Sequence, residues 1–320
     1  MSAVFPTQVV PPAERIESSA SLHSAWSSFP RTVLWVGVFI VILFPGTANS
    51  ANLKTETLKA WEEYVDAVNA QMQERLVADH PFLLSDEDPE LAAKLRSGEI
   101  VVSPAGPHIP KRVPSGLIHD WNGEAFIPNA TLHDVLPVVR GYRCYKEAYK
   151  PAVIDSRVIT ASESEDEFYM LLMNKSLVAK TALDSDFRSS YLRVNDQRWY
   201  SVSESTRIQE IAAYGTDGQH MLPEDEGTGL IWKTYSITRF EERDGGVYVE
   251  LEAIVLSRDI PFLLRYVVSP IVRRVSREAL MTSLRQTQDA VRSAAKLEAA
   301  SGQCAKGTNP VAAKSPVPAQ

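Results

Sequence analysis

The sequence predicts an α+β protein: a curved, seven-stranded antiparallel sheet wrapped on one long C-terminal helix, with a helical segment ahead of it. Three observations predict this. A strand ending Ile237-Thr-Arg-Phe-Glu-Glu242 meets the turn Arg243-Asp-Gly-Gly246, a second strand runs from Val247 to Leu256, and Ser257-Arg-Asp-Ile-Pro261 then breaks into a helical pattern reaching about Lys296. Upstream, from Gly116, one strand-like run, two short helical runs and six strand-like runs follow in that order. Earlier still, Trp61, Tyr64, Val65, Val68, Met72 and Leu76 recur at helical spacing.

Each element has a local reason. Residues 1–30 are rich in Ser, Pro and Ala without periodicity and read as disordered. Residues 31–50 hold an uncharged apolar run, Val33 to Phe44, between Arg31 and small residues. That pattern fits a signal peptide cleaved after Ala48 or Ser50, with an uncleaved membrane anchor as the alternative, because the preceding region is long and also carries Glu14 and Glu17. The run is shorter than the ~20 residues of a spanning helix. Leu53 to Asp79 forms an amphipathic helix ended at His80-Pro81. Pro89 to Arg96 is a second helix closed by Gly98, and Ile100-Val-Val102 is a short strand. Together they make residues 51–102 a helical N-terminal extension. Four prolines make residues 103–115 an extended linker.

The main domain, residues 116–297, starts with a strand from Leu117 to Ile127. Thr131 caps the next helix with Asp134 in its first turn, and a short helix covers Tyr142 to Tyr149. Strands follow at about 153–160, 166–174, 177–188, 198–211, 229–242 and 246–258, with Asn174-Lys-Ser176 and Asp244-Gly-Gly246 short enough for hairpins. Ser269-Pro270 is expected to start the last helix. Its apolar stripe reads Ile271, Val272, Val275, Ala279, Leu280, Leu284 and Val291. Residues 298–320 read as a disordered tail.

Composition excludes several function classes. A chain of 320 residues, 44% hydrophobic and 23% charged, builds a packed core. A net charge of −7 argues against nucleic-acid binding, which rests on Lys and Arg neutralising phosphates. Two cysteines, Cys144 and Cys304, are too few for a disulfide framework. None of the six histidines has metal-ligand spacing, and there is no nucleophile elbow or phosphate loop. No catalytic residue, metal or cofactor is therefore expected. His119-Asp120 and His133-Asp134 place a base beside a carboxylate, but sequence neighbours in strands or helices rarely face one another.

Three stretches carry a family resemblance: Trp121-Asn-Gly-Glu-Ala-Phe-Ile-Pro128, Tyr200-Ser-Val-Ser-Glu-Ser-Thr-Arg-Ile208, and Asp244-Gly-Gly-Val-Tyr-Val-Glu250 through Arg258-Asp-Ile-Pro261. With the element order, they make Gly116 to Lys296 resemble the START-like helix-grip superfamily of lipid-transfer domains, hormone-binding proteins and polyketide cyclases. That resemblance implies a hydrophobic ligand, lipid-like or polycyclic, held between sheet and C-terminal helix. It carries over no catalytic residue.

Candidate ligand residues come from the strands. In 198–211 one face reads Trp199, Ser201, Ser203, Ser205, Arg207, Gln209 and the other Tyr200, Val202, Glu204, Thr206, Ile208, Glu210. Polar faces fit either a solvated outer surface, with Arg207 and Glu252 laddered across the sheet, or a cavity in which Arg207, Arg239 or Glu252 holds a ligand carboxylate or hydroxyl. The aromatics Trp199, Trp232 and Tyr235 fit either core or ligand platform. A membrane surface is a further expected partner, through Phe262, Leu263 and Tyr266 beside Arg273-Arg274. Glu252 is also the candidate general base if the protein is instead a cyclase- or hydrolase-like enzyme. A third alternative is an envelope module whose cavity is filled by its own side chains.

Overall fold

The computed structural model describes residues 51–77, 80–175, 180–260 and 265–298. The expected signal peptide or anchor, the N-terminal and C-terminal tails, Cys304, Phe262 and Leu263 lie outside the described residues. A short strand β1 (Ala51–Asn52) leads into helix α1 (Thr55–Arg75). A 3-10 turn (Leu84–Asp86), helix α2 (Pro89–Arg96) and strands β2 (Val101–Pro104), β3 (Lys111–Val113) and β4 (Gly116–Pro128) follow. Next come helices α3 (Leu132–Val139) and α4 (Tyr145–Ala148), then strands β5 (Val153–Ala161), β6 (Glu165–Lys175), β7 (Lys180–Arg193) and β8 (Arg198–Ala212). Strands β9 (His220–Met221), β10 (Glu226–Gly227), β11 (Lys233–Arg243) and β12 (Gly246–Arg258) precede helix α5 (Arg265–Glu298).

The sheet is antiparallel and open, in the order β2-β4-β12-β11-β8-β7-β6-β5, with β3 beside β4 and β9 beside β8. It has ten strands rather than seven. Three short strands are added: β2 and β3 pair with β4, drawing the proline-rich segment onto the sheet edge, and β9 pairs with β8. The long C-terminal helix lies on one face, giving the helix-grip arrangement the sequence predicts.

The turns obey local chemistry. Asp244 and Gly245 have φ of 56° and 75°, the left-handed pair a two-residue hairpin needs between Arg243 and Gly246. At α3 the Asp134 carboxylate accepts from Thr131 N at 2.8 Å and Thr131 Oγ1 at 2.7 Å, securing the expected cap. At α2 the Asp88 side chain accepts from the Glu90 and Leu91 amides, ahead of Pro89 in the first turn.

Both faces of the central sheet carry helices. The outer face packs Ile118, Phe126, Tyr235, Ile237, Tyr248, Ile254 and Leu256 against Trp61, Val68, Met72, Phe82, Leu83 and Leu95 of the N-terminal segment. The inner face packs Trp121, Ala125, Ile127, Phe240, Val247 and Val249 against Leu132 and Val135 of α3 and Leu280, Leu284 and Val291 of α5. The N-terminal extension is thus a strap, one layer of the domain core. Fully burying a large apolar side chain is worth roughly 1.5–3 kcal/mol, so six such strap residues supply on the order of 10 kcal/mol before ordering costs.

Helix α5 differs from the sequence reading at two points. It begins by Arg265, so Pro270 stands inside it rather than in its first turn and removes one backbone bond. Its apolar residues also fall on two faces. Ile271 precedes Leu280, and Val275 precedes Leu284, by nine residues, which is about two and a half turns. They therefore point opposite to the buried stripe, and both are exposed.

Candidate functional site

Alternation along paired strands assigns every side chain to a face, and Gly123 identifies the inner one. A Cβ there would stand 2.7 Å from Leu284 Cδ1 and 3.0 Å from Leu280 Cγ, so only glycine lets α5 approach this closely. Gly123 pairs with Leu251, Leu251 with Thr238, and Thr238 with Ser201, all on that face.

Leu251 and Ala253 of β12 are half-buried against the α5 core; farther along the same face Val255 of β12, Thr234, Ser236 and Thr238 of β11 and Ser203 of β8 are half-buried. Their outward-facing neighbours Tyr235, Ile237, Arg239, Glu250, Glu252 and Ile254 are buried. The strand centres are therefore sealed on the strap side and left accessible on the α5 side.

Aromatic packing covers the same face at β6 and β7. Tyr142 stacks on Phe168 at 3.8 Å between centroids, and Phe168 on Phe187 at 5.2 Å. Tyr142 and Tyr191 share a hydroxyl bond of 2.7 Å, and Arg140 lies over Tyr191 while bridging to Asp166 at 2.7 Å. Burial raises the pKa of both tyrosines, so both stay protonated donors. Across the sheet His119 meets Ser257 Oγ at 3.0 Å. Burial lowers the His119 pKa to about 4, so the ring is neutral near pH 7. His119 and Asp120 face opposite sides, as strand alternation requires.

The second concentration of chemistry lies under the strap. Arg239, 2% exposed, bonds Glu250 at 2.6 Å and Glu252 at 2.8 Å, with Met72 Sδ 3.1 Å from its Nε. Glu250 also accepts the Leu84 amide at 2.6 Å. Tyr64 donates to Asp120 at 2.7 Å, and Ser85 to Glu124. Asp120 Oδ1 and Glu124 Oε2 are buried without partners among the described residues. Desolvation, then the nearby charges of Glu252 and Glu250 respectively, push Asp120 up to about 7 and Glu124 up to about 8. Glu250 is raised in the same direction by burial. Among the described residues no group of histidine, cysteine or acidic side chains is arranged to hold a metal.

The six sequence candidates divide between the faces. Trp199 lies on the inner face, beside Phe240 in the α5 core. Arg239 and Glu252 lie on the outer face under the strap, paired to each other. Tyr235 bonds Asn69 of α1 at 2.5 Å, and Trp232 packs in the same outer core. Arg207 bonds Asp186 at 2.8 Å and also Asp184, both outer-face residues. Its displacement has a local cause. Asp186 pairs with Arg207 but Phe187 pairs with Ser205, so a bulge at Thr206 shifts the alternation by one. Arg207 and Gln209 leave the face of Ser201, Ser203 and Ser205, while Ile208 and Glu210 join it. The Ser201–Ser205 alternation was visible in the sequence. Nothing in it marked the bulge or the strap that turns outer-face carboxylates into buried ones.

No family model matches this chain, and no curated protein matches it. Among solved structures, it is similar to a STAR-related lipid transfer protein fragment from Xanthomonas axonopodis at 17% identity and a TM-score of 0.39, covering 60% of this chain and 98% of that one. Human STARD10 is 9% identical with a TM-score of 0.39, over 70% of this chain and 86% of that one. The Zhui aromatase/cyclase from Streptomyces sp. R1128 is 10% identical with a TM-score of 0.34, over 60% and 99%. At such identities the chemistry of the inner face has to be read from this chain's own side chains.

Proposed function

We propose that this protein binds a hydrophobic small molecule, lipid-like or polycyclic, on the inner face of the sheet and sequesters it without converting it. One observation carries this reading: the central strands are sealed on the strap side and accessible on the helix side, where Leu251, Ala253 and Val255 are half-buried. A mostly apolar concavity with a few polar groups is the usual form of a small-molecule site.

The inner-face carboxylates support binding over catalysis. Glu242 accepts the Leu132 amide at 2.8 Å, and Glu210 accepts Thr228 N at 2.9 Å and Thr228 Oγ1 at 2.8 Å. Each is engaged in holding a backbone segment. Glu252, the general base of the enzymatic alternative, is paired with Arg239 beneath the strap. In this reading residues 212–228 gate the groove. The apolar run 33–44 directs the domain out of the cytoplasm or anchors it, and Tyr266, 86% exposed, touches a membrane surface.

The test is native mass spectrometry of the full chain, residues 33–44 included, in detergent, followed by organic extraction. An apolar molecule at near-stoichiometric amount, lost on Leu251→Arg, is the expected result. Turnover of an extracted molecule by the purified protein would refute the non-enzymatic part. A groove that takes up no apolar probe would refute the whole.

A further inference from the structure

Beneath the strap the sheet presents more acceptors than donors. On the outer face Glu124 of β4 stands directly opposite Glu250 of β12, and Asn122 opposite Glu252, with Asp120 two residues farther along β4. Arg239 bonds Glu250 and Glu252, and no salt bridge reaches Asp120 or Glu124 among the described residues. Along β4 three oxygens in a row, Asp120 Oδ1, Asn122 Oδ1 and Glu124 Oε2, are buried with no donor among the described residues.

The strap is tied to the sheet at these same acids. Tyr64 of α1 donates to Asp120 at 2.7 Å, Ser85 of the 3-10 turn donates to Glu124, and the Leu84 amide donates to Glu250 at 2.6 Å. The other charges nearby do not correct the excess. Asp86 of the turn adds a further carboxylate facing Glu124. Arg243 bonds Asp86 at 2.8 Å and Glu241 at 3.1 Å, and Arg75 of α1 bonds the Phe82 carbonyl at 3.3 Å. Lys111 lies over the Tyr64 ring, 4.7 Å from its centre. His119, beside Asp120 in sequence, faces the other side of β4.

With a proton on each of Asp120 and Glu124, the two remaining carboxylates, Glu250 and Glu252, match the two bonds of Arg239. With both ionised, two more negative charges stand in a buried layer without a cation of their own, which is costly. Lifting the strap returns them to water. The apolar core on the α5 side contains none of these groups, so that relief does not require the whole domain to unfold. Ordering the strap also offsets much of its apolar gain, so a change of charge can decide whether it stays down.

We propose that the strap is a proton-operated latch: with protons on Asp120 and Glu124, α1 and the Leu84–Asp86 turn lie on the sheet, and with both ionised they lift from it while the sheet and α5 stay folded. The folded pKa values, about 7 for Asp120 and about 8 for Glu124, support this. Both are raised, so the contribution that holds the strap is complete in acid and is lost as the pH climbs through them.

The test is hydrogen–deuterium exchange of the full chain in detergent, read peptide by peptide at pH 5.5, 7 and 8.5 and corrected for the intrinsic pH dependence of exchange. Peptides within residues 55–86 should lose about tenfold or more of their protection between pH 5.5 and 8.5. Peptides from β8 and from residues 280–291 of α5 should change by less than about twofold, and return to pH 5.5 should restore the strap. Asp120→Asn with Glu124→Gln keeps both shapes, removes both charges and should abolish the change. Should that variant not fold, Glu124→Gln alone should remove the upper of the two steps. Protection lost equally from strap, sheet and α5 would make the effect a loosening of the whole domain and overturn the latch. So would strap protection that is constant from pH 5.5 to 8.5, or a change of full size in either variant. Each outcome is independent of whether the inner face holds a ligand.

Discussion

Raising the pH from 5.5 to 8.5 should weaken this protein through two buried acids, and the magnitude can be worked from their surroundings. Asp120 is 1% exposed and Glu124 2% exposed. Asp120 faces Tyr64, Glu252 and Arg239; Glu124 faces Ser85, Glu250, Asp86 and Arg243. Burial and the neighbouring carboxylates hold their pKa values at about 7 and about 8 in the folded state, against ordinary values of 3.8 and 4.5. A raised carboxylate pKa means that the folded state holds a proton the unfolded chain has already released. Its favourable contribution is present below pH ~4 and disappears as the pH rises through 7 and 8. At pH 6 the folded state holds about two more protons, a slope of roughly −2 to −3 kcal/mol per pH unit. Integrated from pH 5.5 to 8.5 the two groups cost about 5 kcal/mol, a large part of the ~5–15 kcal/mol stability of an ordinary domain. Urea unfolding followed by tryptophan fluorescence at several pH values measures the slope. Asp120→Asn with Glu124→Gln should flatten it and leave the variant at least as stable at pH 8.5. A stability that rises from pH 6 to 8.5, or a slope unchanged in the double variant, would refute the reasoning.

Other perturbations separate the two faces. Arg239→Met leaves Glu250 and Glu252 buried without their cation and should cost about 3–5 kcal/mol in urea unfolding, with Glu250→Gln and Glu252→Gln added to it restoring most of the loss. Arg207→Gln, on the solvated outer face, should change stability by no more than about 1 kcal/mol and leave probe binding untouched. Gly123→Ala forces a methyl against Leu284 and Leu280, and should cost about 1–3 kcal/mol with faster proteolysis within α5, the signature of a loosened helix. Tyr64→Phe removes the donor to Asp120 Oδ2 and should move the lower step of the pH profile upward, read from the same titration.

The legible part of the fold was its periodicity. Strand alternation, the Asp244-Gly245 turn and the Thr131 cap are encoded within a few residues, so a local reading finds them. The site was legible only in part because faces are set by distant events. One bulge at Thr206 reassigns Arg207, Gln209, Ile208 and Glu210 together. One strap, about 170 residues away in sequence, decides that Glu250 meets the Leu84 amide and Arg239 meets Met72 rather than water or ligand. The apolar stripe of α5 misled for a related reason. Ile271 and Val275 share composition with Leu280 and Leu284 but stand half a turn away around the helix, and only phase, not composition, tells them apart.

The strap has a consequence for how this protein can change over generations. On the strap side the central strands are buried, while on the α5 side Val255, Thr234 and Thr238 are half-buried and lie outside both apolar clusters. Substitutions at Val255, Thr234 or Thr238 should therefore be tolerated by the fold. Under the proposed binding function, a lineage could exchange one ligand for another by rewriting those few positions, with the charged outer core held constant beneath its helix.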